Sequence, residues 1–254
     1  MARRRITLSQ NFLHDNRAVH LVVRSSGAGP GDLVVEPGAG EGALTVALAR
    51  VCHRVVAYEI DPRPAGRLAR RFAGHDGVRV IRGDFLRAVP PGEPFAVVGN
   101  IPYSRTTDIV RWCLAAPTLT SATLLVQREY ARKHTGDYGR WPRLTVLTWP
   151  GYEWRLGARV ARTSFVPVPR TDSAVLRLVR RPAPLLPVER LPVWREFVTY
   201  GFTGTGGSLA ATLTRRYGGR AVRAACRAAG LDRAVPVGPV PPGRWLALFW
   251  ELHG

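Results

Sequence analysis

Lysine is almost missing from this 254-residue chain, and Lys133 is the single one. Acidic residues are few as well, 18 against 37 lysines and arginines together. Cysteine occurs three times, at Cys52, Cys113 and Cys226. An odd number at such wide spacing excludes a disulfide framework and fits a reducing, cytoplasmic compartment. No run of about 18 apolar residues occurs, so no membrane span is expected. The basic opening "MARRRITLSQNFLHDN" has no apolar stretch behind it, so a secretory signal is not expected either. The histidines, at 14, 20, 53, 75, 134 and 253, show no ligand spacing to one another or to cysteine, and no metal site is expected. What remains is a chain with 46% hydrophobic residues, able to bury a proper core.

The abundant feature is positive charge. The formal net charge is +19 and the sequence pI about 11.4. Such a field attracts polyanions, and nucleic acid is the usual partner because its phosphates release counterions on binding. A basic proteome bias is the alternative. Arginine forks onto phosphate and stacks on bases better than lysine. A GC-rich coding sequence would favour arginine equally.

Strands and helices alternate along the first half. "LVVE" (33–36), "RVVAYE" (54–59), "VRVIRGDF" (78–85), "FAVVGN" (95–100) and "SATLLVQRE" (121–129) read as buried strands. Helical patterns lie at 15–25, 43–52, 61–74 and 106–116, with Asp15 and Asp61 as N-caps. This order predicts an α/β domain built on a mostly parallel sheet. Right-handed crossovers place all the strand C-termini on one edge, where ligands bind in such sheets. Further on, 143–149 is strand or helix, and 151–160 and 173–181 alternate like hairpin strands. "PAPLLP" (182–187) reads as a linker before short helices at 188–203, 208–216, 219–229 and 243–252. Two domains are expected, 1–181 and a small helical one at 182–254. The latter carries nine arginines and four acidic residues.

Four polar features fall on the ligand edge. "EPGAGEG" (36–42) is a glycine-rich loop between strand and helix, where Gly38 and Gly40 let backbone N–H groups approach a ligand. The loop alone suits a nicotinamide, a flavin, S-adenosylmethionine, or a tight turn with no ligand. Glu36 before it fits a cationic ligand with an amino group and a sulfonium better than a pyrophosphate. Glu59 ends the second strand, where a carboxylate accepts ribose hydroxyls. Asp84 ends the third, placed to accept an adenine amino group, with Phe85 against the ring. "NIPY" (100–103) ends the fourth. The exocyclic nitrogen of adenine is a poor nucleophile, because its lone pair is delocalised into the ring. The Asn100 carbonyl and the Pro102 carbonyl region could accept its hydrogens and free the lone pair, while Tyr103 stacks on the base. As an isolated tetrapeptide it also reads as an ordinary turn.

"SQNFL", "EPGAGEG", "YEID", "GDF", "NIPY" and "FVPVPRTDSAVLRL" follow in order between about residues 6 and 180. As a set they resemble the ribosomal RNA adenine N6-methyltransferases. The resemblance implies a Rossmann-like methyltransferase sheet using S-adenosyl-L-methionine, with a basic N-terminal arm and a small helical C-terminal domain. It implies that Gln10, Asn11 and Leu13 close over the cofactor. Glu36, Gly38, Gly40, Glu59, Ile60, Asp84, Phe85 and Asn100 are its further contacts, and Asn100, Pro102 and Tyr103 stand at the target base. It also implies Phe165 as a second ring against that base; without the family, Phe165 reads as core. The isoleucine of "NIPY" and "ARKHTGDYGRWPRLTVLTWP" (131–150) are similar to Erm-type enzymes, which methylate an adenine of 23S rRNA and confer macrolide, lincosamide and streptogramin B resistance. The expected partner is then protein-free or nascent large-subunit RNA and the expected state a monomer. The alternatives are the housekeeping small-subunit enzyme, whose motif usually carries leucine, and a non-catalytic RNA-binding factor on the same fold.

Overall fold

The computed structural model describes residues 11–254, which divide into two compact units. The first holds the chain up to Ala131 and Arg155–Arg180; the second holds Arg132–Trp154 and Arg181–Gly254. The expected domain boundary was 181/182, and the second unit resumes at Arg181. Residues 132–154, however, belong with the helical unit and not with the sheet to which the sequence reading assigned them.

The first unit is an α/β sheet. Its strands in chain order are β1 (Phe12–Leu13), β2 (Leu33–Pro37), β3 (Arg54–Glu59), β4 (Val78–Arg82), β5 (Phe95–Asn100) and β6 (Leu119–Gln127). Then follow β7 (Tyr152–Val160), β8 (Phe165–Val166) and β9 (Ser173–Arg180), the unit boundary falling within β7. Seven of them form one sheet in the order β4-β3-β2-β5-β6-β9-β7. Strands β2 to β6 pair in parallel with their neighbours in this order, and β9 is antiparallel to β6. The chain steps outward from β2 through β3 to β4, then returns to the other side of β2 with β5. That reversal leaves a crevice at the C-terminal ends of β2 and β5. Strands β1 and β8 form a separate antiparallel pair, Phe12 opposite Val166 and Leu13 opposite Phe165.

Local chemistry sets the helices. In α1 (Asn16–Ser26) the Asp15 carboxylate accepts from the Arg17 N–H at 2.9 Å, and Gly27 at φ 68° ends the helix. Helix α2 is Ala43–Leu48. In α3 (Pro62–Arg71) Asp61 caps the Arg63 N–H at 3.0 Å and Pro62 opens the first turn. Helix α4 is Thr106–Ala115. Val19, Val22 and Val23 of α1 pack on Val34, Val98 and Leu125 of the sheet, all buried. Strand β6 ends at Gln127, and α5 (Arg128–His134) starts at once, two residues before the expected strand end.

The second unit packs an aromatic core. Its helices are α6 (Arg143–Thr148), α7 (Leu191–Gly201), α8 (Leu209–Tyr217), α9 (Gly219–Ala228) and α10 (Pro242–His253). The ambiguous segment 143–149 is helical, with Thr145 and Val146 buried. Trp194, Phe197, Trp245 and Phe249 are fully buried and meet largely edge to face. A Cβ at Gly201 would lie 2.6 Å from the Trp245 ring, so the bare glycine lets α7 sit against it. Among the described residues no helix is long and apolar enough to cross a membrane.

Candidate active site

The crevice at the β2/β5 reversal holds a cavity of about 170 Å³ in the first unit. Gly38, Ile60, Asp84, Phe85 and Pro102 line it, from four different strand ends. Gly38, at φ 70°, brings bare backbone to the rim. Ile60 is 49% exposed there, an apolar side chain with nothing over it. Phe85 is buried, tilted against Trp112 at 4.3 Å and edge-on to Tyr58 at 5.8 Å. The Trp112 indole N–H donates to the Ala88 carbonyl at 3.1 Å, which holds this aromatic wall in place. Asp84 caps the short turn after β4, one carboxylate oxygen accepting from the Leu86 N–H at 3.0 Å. Its other oxygen is the acceptor left at the rim. The slot is mostly apolar, with Asp84, Ser104 and Arg105 among its polar lining.

Both buried acids serve the glycine-rich loop. Glu59 accepts from the Gly40 N–H and from the Asp61 N–H, each at 2.8 Å, and so ties the loop to the end of β3. Burial pushes its carboxyl above the ordinary range. A ribose would therefore meet lone pairs left over from those two bonds. Glu36 is 2% exposed and accepts from the Thr45 hydroxyl at 2.6 Å. Burial chiefly, and the nearby Glu59 charge, push it up to about 8. A buried acid held near neutrality is a place for a cationic ligand, which would restore its charge. Gly40 has a second reason to be glycine: a Cβ there would lie 2.9 Å from the Phe12 ring. Phe12 of β1 therefore lies directly on the loop.

Asn100 ends β5. Its side-chain N–H donates to the Asn11 carbonyl at 2.7 Å. A carbonyl only accepts, so the amide's NH₂ must face Asn11, and Oδ1 is the atom left for a substrate amine. The Pro102 carbonyl accepts from the Arg105 N–H at 2.9 Å, closing the turn after "NIPY", with one lone pair remaining. Tyr103 is half-buried, and its hydroxyl meets the Ser173 hydroxyl at 2.6 Å. Burial raises that phenol above its ordinary range.

The structure thus gathers Gly38, Ile60, Asp84, Phe85 and Pro102 at the cavity. Asn11, Glu36, Gly40, Glu59, Asn100 and Tyr103 stand at strand ends and loops around the same sheet edge. Gln10 lies outside the described residues. Leu13 is 6% exposed and packs in the core beneath the edge. Phe165 departs from its expected place: it is fully buried in the same core, with its backbone paired to Leu13. In this conformation it cannot touch a base, because β8 turns its ring inward and exposes Val166 instead. Ser173 and Thr45 were missed. Ser173 lay within a quoted motif, but its partner is 70 residues away, beyond any local pattern.

A seven-stranded sheet of this order, with a cavity at the switch point and acids at successive strand ends, has the α/β architecture of the methyltransferase class. Comparison narrows this. The family model of ribosomal RNA adenine dimethylases matches residues 1–253, and the chain belongs to that family. An rRNA adenine N-6-methyltransferase of Streptomyces fradiae is 55% identical over 99% of this chain and 79% of its own length. The mycinamicin-resistance protein MyrB of Micromonospora griseorubida is 41% identical over 95% and 77%. The ribosomal RNA small subunit methyltransferase A of Thermobifida fusca is 37% identical over 89% and 82%. The crystal structure of the 23S rRNA methyltransferase ErmE is 47% identical, with a TM-score of 0.92 over 96% of this chain and 100% of that one. The chain is an rRNA adenine N6-methyltransferase, and its family and fold imply the use of S-adenosylmethionine.

Proposed function

We propose that this enzyme methylates the exocyclic N6 of one adenine in the peptidyl-transferase loop of 23S rRNA, and so confers macrolide, lincosamide and streptogramin B resistance. The observation that carries the chemistry is the Asn100 amide, whose NH₂ is held by the Asn11 carbonyl while Oδ1 remains for a substrate amine. The large-subunit target is supported by the likeness to a 23S rRNA methyltransferase and a mycinamicin-resistance protein at higher identity than to the small-subunit enzyme.

Gly38, Asp84, Phe85 and Ile60 would hold the adenosine end of S-adenosylmethionine, with Glu59 toward the ribose and Glu36 toward the cationic end. When bound, it supplies an electrophilic methyl group. The target base must leave its stack to reach the sheet edge. Tyr103 stacks on it and fixes its plane. Asn100 Oδ1 and the free lone pair of the Pro102 carbonyl accept the two amine hydrogens and draw the nitrogen lone pair out of the ring. The N6–carbon bond would form as the methyl carbon–sulfur bond breaks, its electron pair passing to sulfur, and one N6 proton would then pass to solvent. No strong base is required, because positioned dipoles do the stabilising.

Asn100→Ala removes one of these acceptors. Its methyl transfer to protein-free 23S rRNA is expected to fall below about one hundredth of wild type, as for loss of one oriented dipole, while S-adenosylmethionine binding measured by calorimetry is retained. Full transfer by this variant would contradict the role.

A further inference from the structure

Among the described residues, one cation lines the cavity at the β2/β5 reversal: Arg105, the last residue of the short turn that begins at Tyr103. Its backbone is fixed on both sides. The Arg105 N–H donates to the Pro102 carbonyl at 2.9 Å, and α4 starts at the next residue. Its side chain is half exposed, and Nε lies 3.2 Å from the carboxylate of Asp108, one turn on in α4. The lining around it is largely apolar, with Ile60, Phe85, Leu86, Pro102 and Ile109.

A full positive charge is out of place in such a slot, and more so where a cationic cofactor is to bind. The ion pair removes the conflict. Asp108 offsets the charge of Arg105, and it sits in the first turn of α4, where the helix dipole also favours a carboxylate. A guanidinium has all its donors in its plane, so an edge held by a carboxylate leaves the two faces for stacking. An RNA phosphate would have to share those donors with Asp108, whereas a purine ring needs only a face. We infer that the guanidinium of Arg105, held by Asp108, stacks on the adenine of S-adenosylmethionine and is a cofactor-binding residue of this enzyme. This rests on the reading above that the adenosine end occupies this cavity, and deepens it: a charge-balanced planar group covers the ring beside the apolar side chains.

The test measures calorimetric binding of two probes to the full chain: S-adenosylhomocysteine, and 5′-methylthioadenosine, which lacks the amino-acid end. Two variants are compared with wild type. Arg105→Met keeps an unbranched side chain without plane or charge, and Arg105→Lys keeps the charge and can still pair with Asp108. Both are expected to bind both probes about threefold to thirtyfold more weakly, the range for a stacked cation from exposed to desolvated. Their affinity for a 23S rRNA fragment, titrated over a series of salt concentrations, is expected to follow wild type, which also shows that they fold. Wild-type affinity for both probes in Arg105→Met would overturn the proposal. So would full rescue by lysine, which would mark the charge and not the planar face. A loss confined to S-adenosylhomocysteine would also overturn it, placing Arg105 at the amino-acid end. A flatter salt dependence with probe binding unchanged would assign Arg105 to an RNA phosphate instead. Asp84→Asn distinguishes failure of the underlying reading: unchanged affinity of that variant for 5′-methylthioadenosine would mean that the cavity holds no adenine at all.

Discussion

Tyr103 and Ser173 form a pair that single substitutions will not describe. In the proposed mechanism the base needs the ring, whose hydroxyl meets that of the fully buried Ser173 at 2.6 Å. Stacking on an aromatic side chain is worth about 1–3 kcal/mol per base. Tyr103→Ala is therefore expected to lower kcat/KM by about tenfold to a hundredfold. Tyr103→Phe and Ser173→Ala should each be milder, and the double variant no worse than the poorer single one, as for two ends of one bond. Additive losses measured in that cycle would contradict the positioning role of Ser173. Glu36 gives a second prediction. Its carboxyl sits at about 8 in the fold against 4.5 for the ordinary group. Between those values the folded chain binds more protons than the unfolded one, so this group's contribution to stability falls as pH rises through the window. Melting temperatures of wild type and Glu36→Gln, compared from pH 5 to about 8, should show wild type losing ground with rising pH. Parallel curves would mean that Glu36 is not held protonated.

At the scale of elements, the glycine-rich loop depends on contacts its own sequence does not contain. Gly42 stands at φ 83°, where a Cβ would lie 2.3 Å from the Leu68 side chain of α3. Gly42→Ala is expected to cost about 1–3 kcal/mol in chemical denaturation, the strain of a non-glycine residue in that region. A neutral result would show that the loop relaxes freely. The same distinction separates what could be read in the sequence from what could not. The placing of Glu59 and Asn100 at the ends of β3 and β5, and of Asp84 two residues past β4, was legible because the apolar pattern of each strand is local. The bond from Glu59 to the Gly40 N–H was not, since it spans 19 residues across two strands. Phe165 shows a limit of the family resemblance: the motif named the ring, but β8 pairs with β1 and buries it. Reading it as core from its apolar character alone matched this conformation. Helix α5 was missed because "QRE" continues a strand pattern by one polar step, and only the i−4 bonds of the following turn reveal the change.

For the molecule as a whole, charge and topology were visible early and the division of the chain was not. The alternation of strands and helices predicted the parallel sheet and its ligand edge. The grouping of 132–154 with 181–254 depends on packing across some 50 residues, such as the Trp194 indole donating to the Leu147 carbonyl at 3.0 Å. No linker composition marks it. The +19 charge is spread over both units. In the proposed function the chemistry of one sheet edge serves one RNA. The measurement that tests this most directly is transfer of labelled methyl from S-adenosylmethionine to protein-free 23S and 16S rRNA, with the modified nucleotide mapped by mass spectrometry. The account predicts N6-methylated adenine at one position in the peptidyl-transferase loop of 23S rRNA and none in 16S. Label confined to 16S, or RNA bound with no label in either, would contradict it.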